Sequence, residues 1–186
     1  KFYNVTPDLS CFGKGMANGF AISALVGKRE FMKELDEVFF SMTYSGDTIG
    51  LAAAKATITE LLSKPVLDHI WTMGDALHTE VNAFAESAGV NFRISGKPPR
   101  AGLSVKNRKG EDDLLLKSLF LQETVKRGIL FGGPVFICYS HSPEDIEKPV
   151  EASCAAISVI KEAEESGEPA KFLEGEPVGV VFRQRT

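Results

Sequence analysis

Cysteine is scarce in this sequence of 186 residues, and the three cysteines that occur are far apart. Cys11, Cys138 and Cys154 form neither a CxxC pair nor a spacing typical of a metal site, so we expect no metal centre. Unpaired thiols are typical of cytosolic proteins, and we therefore expect a cytoplasmic location. No apolar run approaches the length of a membrane-spanning helix, so we expect no membrane partner.

An excess of positive charge is missing too. The chain has 21 Lys and Arg residues against 25 Asp and Glu residues, a formal net charge of −4, and the basic residues are scattered. We therefore expect no nucleic-acid partner. A hydrophobic content of 44% is typical of a soluble globular protein. The sequence lacks an initiator methionine and begins close to an apolar element, so we expect it to be part of a longer protein.

Lys14 lies in a glycine-flanked turn between two apolar stretches, residues 8–12 and 20–26. A lysine held in this way can be desolvated, which lowers the pKa of its amine and makes it a nucleophile for a carbonyl cofactor. Pyridoxal phosphate is the cofactor that most needs such a residue. A solvated turn lysine without a catalytic role is the alternative. A phosphate-binding P-loop is excluded, because Asp8 and Gly15 stand where that motif requires Gly and Ser or Thr.

Three stretches, taken in order, resemble the class III (fold type I) pyridoxal-phosphate-dependent aminotransferases, and among them the glutamate-1-semialdehyde 2,1-aminomutase-like members. The first stretch surrounds Lys14, the second is a Thr-Tyr-Ser-Gly segment, and the third covers a strand and the last helix. Together they span about residues 3 to 165. The matching residues are Pro7-Asp8-Leu9, Gly13-Lys14 with the apolar residues 21–27, Met42-Thr43-Tyr44-Ser45-Gly46-Asp47-Thr48, Arg127-Gly128-Ile129-Leu130, and Ser140-His141-Ser142-Pro143-Glu144-Asp145-Ile146-Glu147.

The resemblance implies an α/β fold, namely the C-terminal part of a fold type I pyridoxal-phosphate transferase. Residues 1–65 would be the remnant of the large cofactor-binding domain with the end of its sheet, and residues 66–186 the small C-terminal αβ domain. Hydrophobic periodicity and helix-start signals predict the individual elements. The predicted helices cover 28–35, 48–62, 66–88, 112–126 and 143–165, and the predicted strands cover 8–12, 20–26, 90–94, 101–105 and 129–139, with a strand or extended loop at 39–44.

The resemblance also implies roles for four residues. Lys14 would form the Schiff base with pyridoxal 5'-phosphate and, once displaced by substrate, would shuttle protons between the substrate's α-carbon and the cofactor's C4′ atom. Thr43 would reach the cofactor phosphate of the partner in a homodimer. Ser45 and Gly46 would offer backbone amides to the same anion. A turn or capping threonine is the alternative for Thr43.

The sequence departs from the family pattern beside these residues. Asp47-Thr48 replaces the usual Asn-Pro, and Ala21 stands where proline is common. A carboxylate at position 47 would oppose a bound phosphate unless it turns away to cap the following helix. Among the histidines, His141 is expected to be structural, at a strand–helix junction.

The resemblance implies transfer of an amino group on a small carbonyl or amino substrate. Residues 132–136 lack the Phe-Glu pair common in aminomutases, so aminotransferase and aminomutase activity both stay open. Only thirteen residues precede Lys14, and the family's phosphate loop, ring-stacking aromatic residue and pyridinium-binding aspartate come before that lysine. We therefore expect no turnover by this chain alone. A non-catalytic fragment that folds and dimerises without cofactor is the alternative.

Four phenylalanines, Phe12, Phe20, Phe39 and Phe40, fall on predicted strands whose neighbouring strands are not in this chain. Exposed apolar strand edges favour pairing with another chain. We therefore expect residues 1–47 to be less ordered or to pack against a partner chain, and residues 66–165 to form the well-packed unit.

Overall fold

A computed structural model describes residues 2–39 and 41–179, and the chain divides into two compact units that meet between Val66 and Leu67. Unit 1 ends at Val66 and unit 2 begins at Leu67. Both contain helices and antiparallel strands, so the fold is α/β, as the sequence predicts. No helix in the described part of the chain is long and apolar enough to cross a membrane.

Unit 1 is built on a two-stranded antiparallel hairpin and one long helix. Its strands pair with Leu9 opposite Gly27 and Phe12 opposite Ala24. A 3-10 turn inside the hairpin packs against the long helix. The elements are strand β1 (Leu9–Phe12), the 3-10 turn Lys14–Ala17, strand β2 (Ala24–Gly27), helix α1 (Arg29–Met32), a second 3-10 turn at Lys33–Asp36, and helix α2 (Thr48–Ser63).

Few apolar side chains of unit 1 are buried. Ala17 of the 3-10 turn and Ala54 of α2 are the buried ones among its described residues, together with Val66 at its end. Phe12 and Phe20 are each 53% exposed and Phe39 is 96% exposed. Of the predicted strand phenylalanines, only Phe12 lies in a strand, and Phe40 is outside the described residues. Unit 1 therefore presents apolar side chains that it does not itself bury.

Unit 2 contains three long helices and a three-stranded antiparallel sheet, and the last two helices pack closely against each other. The strand order is β3-β4-β5, so β3 is an edge strand. Phe92 lies opposite Val105, and Ile94 lies opposite Leu103. The elements are helix α3 (Val66–Ala88), which starts at the boundary, strand β3 (Phe92–Lys97), strand β4 (Arg100–Val105), helix α4 (Leu114–Lys126), strand β5 (Val135–Phe136), helix α5 (Pro143–Ser166) and a 3-10 turn at Pro169–Phe172.

The hydrophobic core of the described chain lies almost entirely in unit 2. Phe120 of α4 is completely buried, and its ring centroid is 4.6 Å from that of Phe92 and 5.6 Å from that of Phe131. Aromatic pairs at such distances add to the free energy gained by burial. The other large apolar side chains with no more than 2% exposure come from α3, β3, α4 and α5: Leu77, Val81, Ile94, Leu116, Leu119, Ile157 and Ile160.

Capping side chains determine where three helices begin. Asp47 accepts a hydrogen bond from the Ile49 amide at the start of α2, and Asp113 accepts one from the Leu116 amide at the start of α4. Ser142 and Asp145 cap each other's backbone amides at the start of α5, a reciprocal capping box. The predicted bounds of α2, α3 and α5 agree with the structure to within one residue.

Two predicted strands are shorter than expected. The strand predicted at 129–139 is reduced to β5, because Gly133 has a φ of 126° and Pro134 has no amide to donate. The strand predicted at 20–26 begins only at Ala24. Its partner β1 has four residues, so only the four residues from Ala24 to Gly27 are paired. Residues 20–23 are instead free to line the cavities of unit 1.

Candidate active site

Lys14 occupies a constrained backbone position. Its φ is 51°, in the left-handed region of backbone conformations that residues other than glycine rarely adopt. Gly13 before it is extended, with a φ of −169°, and the Met16 amide donates to the Gly13 carbonyl at 3.1 Å. Asn18 ends the 3-10 turn with a second left-handed residue, at a φ of 47°. Strained positions of this kind concentrate at functional sites.

The amine of Lys14 is available for chemistry. The side chain is exposed, and no residue within 2–39 or 41–179 contributes a hydrogen bond or ion pair to it. It lines an open cavity of about 410 Å³ together with Asn18, Phe20, Ala21 and Ile22. The desolvation that the sequence pattern predicts is therefore not provided by the described part of unit 1.

Asp8, which precedes β1 in the sequence, is the acidic residue of the segment that leads to Lys14, and it is paired with another residue. Its carboxylate lies 2.6 Å from the Lys28 amine, and its carbonyl accepts from the Lys28 amide at 2.9 Å. Both side chains are about half-exposed, so the ion pair contributes little stability. Asp8 thus tethers the two ends of the hairpin and does not contact Lys14.

Thr43, Ser45 and Gly46 form an exposed turn directly before α2. The Ser45 amide donates to the Met42 carbonyl at 3.0 Å, so Ser45 has its hydroxyl, and not its amide, free for an anion. Gly46 has a φ of 79°, which the turn requires. The adjacent N-terminus of a 16-residue helix carries a partial positive charge.

The carboxylate of Asp47 is engaged at the start of α2. Its carboxylate oxygen accepts from the Ile49 amide at 3.1 Å, so it caps α2. Such a cap satisfies one of the helix's unpaired amides. The charge nevertheless remains next to the Thr43–Gly46 turn, where it weakens the attraction for an anion.

The segment Ala21–Ile22 brings the two groups of residues together. It lines the Lys14 cavity and also a second cavity of about 690 Å³, which Thr43 and Ser45 line from the other side. A Cβ atom on Gly50 of α2 would lie 3.2 Å from the Ala21 carbonyl oxygen, so α2 approaches this segment closely because position 50 is glycine. Lys14 and the two hydroxyls therefore face adjacent cavities that share two residues.

Sequence reasoning missed Ala21–Ile22 as the shared wall. In the sequence, Ala21 stands out only because it replaces a proline that is common in the family. No local signal identifies such a wall, because it depends on the packing of α2 against the hairpin.

The histidines of unit 2 play structural parts. The Cys138 amide donates to Nδ1 of His141 at 3.2 Å, and Nε2 of His69 lies 2.8 Å from the His141 carbonyl oxygen. These contacts hold the junction before α5, as expected for His141. Burial lowers the pKa of His78, while nearby Asp75 partly raises it, and no described residue forms a hydrogen bond with its buried Nε2 atom.

Comparison with known proteins places the chain in a family. The sequence profile of the family Aminotransferase class-III matches residues 1–134. The 3-aminobutyryl-CoA aminotransferase of Cloacimonas acidaminovorans is 36% identical over 165 residues, which cover 87% of this chain and 40% of that protein. The glutamate-1-semialdehyde 2,1-aminomutase of Desulforapulum autotrophicum is 28% identical over 165 residues, covering 81% of this chain and 39% of the relative.

The fold is shared with a solved structure. The FumI protein of Sphingopyxis sp. MTA144, in its PLP internal aldimine form, superposes with a TM-score of 0.79 at 23% identity over 89% of this chain and 40% of that one. At this identity the likeness establishes the fold alone. The chain spans about 40% of the length of the curated relatives it matches. It belongs to the class III aminotransferase family, whose matching members are aminotransferases and aminomutases.

The residues present fit two ends of pyridoxal phosphate, the cofactor implied by this family. The exposed amine of Lys14, which takes part in no hydrogen bond or ion pair with the described residues, fits the carbonyl end, and the hydroxyls of Thr43 and Ser45, next to a helix N-terminus, fit the phosphate end. The carboxylates of Asp8 and Asp47 are engaged elsewhere, in an ion pair with Lys28 and in the cap of α2.

Proposed function

We propose that this chain is the part of a pyridoxal-phosphate-dependent aminotransferase that carries the reacting lysine, Lys14. The observation that carries the proposal is the exposed Lys14 amine, which lines an open cavity and takes part in no hydrogen bond or ion pair with the residues that the structure describes. The complete enzyme would move an amino group on a small carbonyl or amino substrate.

Each residue has a defined task in this proposal. Lys14 would hold the cofactor through its Nζ atom, and once released by substrate the same Nζ atom would take and return a proton. In the homodimer, Thr43 and Ser45 would donate hydrogen bonds from their hydroxyls to the phosphate of the partner's cofactor, and the Gly46 amide would add a backbone donor. When bound, the cofactor supplies an electron sink that stabilises negative charge on the carbon bearing the amino group.

Transamination is favoured over aminomutase chemistry. The relative at 36% identity is named an aminotransferase, whereas the aminomutase relatives are 25–28% identical. The first relative is named for a CoA thioester of an amino acid, so such thioesters are one candidate substrate class for the present protein. A homodimer, with Thr43 reaching the partner's cofactor, and a cytoplasmic location complete the proposal. The exposed Phe12, Phe20 and Phe39 support the pairing of unit 1 with further protein.

The test is covalent trapping. The purified chain is incubated with pyridoxal phosphate, reduced with borohydride and digested, and the modified peptide is identified by mass spectrometry. We expect the label to concentrate on Lys14, to disappear in Lys14→Ala, and to persist in Lys33→Ala, a matched exposed lysine of the same unit. Equal labelling of Lys14 and Lys33 would show a surface reaction and favour the non-catalytic alternative.

Amino-group transfer is a separate readout. Mixing the cofactor-treated chain with glutamate should yield no pyridoxamine phosphate, because neither Asp8 nor Asp47 is free to keep the cofactor's ring nitrogen protonated. Stoichiometric formation of pyridoxamine phosphate, lost in Lys14→Ala, would show instead that this chain holds a complete site.

A further inference from the structure

The hairpin of unit 2 concentrates positive charge in a chain that is acidic overall. Residues 87–110 contain no Asp or Glu, yet they contain Arg93, Lys97, Arg100, Lys106, Arg108 and Lys109. The formal net charge of the whole chain is −4. The basic residues are scattered along the sequence, but strand pairing brings Arg93, Lys97, Arg100 and Lys106 together on the hairpin.

Strand alternation places polar and basic side chains on the exposed face of β3 and β4. Arg93 lies directly opposite Ser104, and Ser95 lies opposite Gly102. Lys106 follows β4, and its amide donates to the Asn91 carbonyl at 2.9 Å, which keeps Lys106 beside the end of β3. The alternate residues of both strands, such as Phe92 and Val105, are buried in the core. The exposed face therefore carries the charge.

Helix α3 turns this face into a groove. The side chain of Asn82 bonds the edge of β3 twice: it donates to the Ile94 carbonyl at 2.9 Å and accepts from the Ile94 amide at 2.8 Å. The groove between α3 and the hairpin has a volume of about 750 Å³ and is lined by Arg93, Ser95, Ser104 and Lys106 on one side and by Thr79, Ala83 and Glu86 on the other. Pockets that hold small organic ligands have volumes of roughly 300–1,000 Å³.

The donors in this groove are not used by the protein itself. Within residues 2–39 and 41–179, neither Arg93 nor Lys106 forms an ion pair, and the hydroxyls of Ser95 and Ser104 make no hydrogen bond. Gly102, opposite Ser95 in the sheet, adds no side chain beside it, and a Cβ atom there would meet no atom within 4 Å. The side-chain amide of Asn91 is already used, since it donates to the Asn107 carbonyl at 2.9 Å. Glu86 is the acidic residue that lines the groove.

We propose that this groove binds a phosphate ester of nucleotide size, with Arg93 and Lys106 as its cationic contacts. An arginine matches two phosphate oxygens with its fork of N–H donors, and a lysine acts as a point charge. Ser104, opposite Arg93 and two residues before Lys106, supplies a neutral donor next to both cations, and Ser95 supplies another on the far side of Arg93. The volume exceeds that needed for inorganic phosphate, and Ala83 and Val90 provide an apolar surface for the remainder of the ligand.

The test compares three ligands by isothermal titration calorimetry on the full chain: adenosine 3′,5′-bisphosphate, adenosine and inorganic phosphate. We expect the bisphosphate to bind, adenosine not to bind, and inorganic phosphate to bind roughly tenfold or more weakly than the bisphosphate. Equal affinity for inorganic phosphate would reduce the groove to a simple anion site and overturn the nucleotide-sized ligand. Absence of bisphosphate binding would overturn the site altogether.

Variants locate the binding. Arg93→Ser combined with Lys106→Ser should weaken the bisphosphate by roughly tenfold or more, whereas Arg108→Ser combined with Lys109→Ser removes the same charge outside the groove and should change little. Glu86→Gln should strengthen binding, because it removes the opposing charge. Equal losses in the two double variants would contradict the proposal. Lys14→Ala should have no effect, so failure of this proposal and failure of the proposed function are separately measurable. Thermal unfolding checks that each variant folds.

Discussion

Gly74 in the middle of α3 is in direct backbone contact with Pro98, which lies in the tight turn between β3 and β4. A Cβ atom at position 74 would overlap the carbonyl group of Pro98. From the sequence this glycine is expected only to weaken the helix. In the structure it is the residue that lets the helix and the hairpin turn approach each other.

Gly74→Ala should therefore destabilise the protein although alanine is the better helix former. Helix propensity alone predicts a gain of about 1 kcal/mol. Overlap with a backbone that cannot rotate away costs about 1–3 kcal/mol or more, as in overpacked cores. We expect a net loss of stability in urea unfolding. Gly102→Ala is the matched control, since position 102 has open space, and a stabilised Gly74→Ala would contradict the contact.

Asn82 should be the most sensitive polar residue of α3. It satisfies both backbone groups of Ile94 on the free edge of β3. Asn82→Ala would leave those two groups without their side-chain partner, at a cost of about 1–3 kcal/mol. Asn82→Asp would keep the acceptor for the Ile94 amide but lose the donor, so we expect an intermediate loss. Asn91→Ala, which removes one exposed hydrogen bond, is the control in the same urea experiment. Equal losses for Asn82→Ala and Asn91→Ala would contradict this role.

Helix α4 holds the C-terminal segment through one row of side chains spaced four residues apart. Gln122 donates to the Phe172 carbonyl at 3.0 Å and accepts from the Glu174 amide at 2.8 Å, and Ser118 accepts from the Val178 amide at 2.8 Å. Gln122→Ala should raise hydrogen exchange at the Glu174 amide by releasing the segment. Lys171→Ala, which removes an exposed ion pair with Glu168, should leave that exchange unchanged. Protection that survives in Gln122→Ala would mean that the segment is held by other contacts.

Glu123 should give the protein a stability that is lost in acid. Burial by itself raises the pKa of this carboxyl, but hydrogen bonds from Lys126, Arg127 and Gln122 outweigh burial and lower the pKa from 4.5 to about 2. Because the folded pKa lies below the unfolded one, the stabilisation is complete above about pH 4.5 and is lost as pH falls toward 2.

The variant Glu123→Gln separates this effect from general acid unfolding. At pH 7 we expect a loss of about 1–3 kcal/mol, since the Glu123 side chain is only 9% exposed whereas its cationic partners are more exposed. Between pH 4.5 and 2 the difference between the variant and the parent should shrink. Glu162→Gln, at an exposed position of α5, controls for the change of charge. A difference that stays constant with pH would refute the assignment.

Local signals explain which parts of the fold could be predicted. The caps at Asp47 and Ser142 are short-range, so the starts of α2 and α5 are visible in the sequence. Strand β5 could not be predicted at its true length, because its two residues are fixed by pairing with Arg100 and Ala101 of β4. Pairing between distant segments is not encoded in the alternation of one of them.

The candidate site divides in the same way. Lys14 was identifiable from its glycine-flanked turn, but its left-handed backbone and its exposure were not. The adjacency of Lys14 to Thr43 and Ser45 depends on Ala21–Ile22, which is positioned by close packing against Gly50. Such packing depends on the three-dimensional fit of separate elements, and so the sequence alone did not reveal it.

Asp47 offers a test of the phosphate end of the proposed site. Asp47→Asn keeps a side-chain oxygen for the Ile49 amide and removes the negative charge beside the Thr43–Gly46 turn. A charge at a helix terminus is worth about 0.3–1 kcal/mol, which corresponds to about a two- to fivefold change in anion affinity. We therefore expect the pyridoxal phosphate concentration needed for half-maximal trapping on Lys14 to fall by this factor.

Asp47→Ala provides the comparison that distinguishes charge from cap. It also removes the negative charge, but it deprives the Ile49 amide of its acceptor, at a cost of about 1 kcal/mol to the start of α2. A frayed first turn would displace the Thr43–Gly46 turn, so the gain seen in Asp47→Asn should be reduced or absent. Asp36→Asn removes an exposed carboxylate elsewhere in unit 1 and should leave trapping unchanged. If Asp47→Asn behaves like Asp36→Asn, the phosphate does not bind at this turn, and the departure from Asn-Pro at Asp47-Thr48 would mark a site that has lost that function.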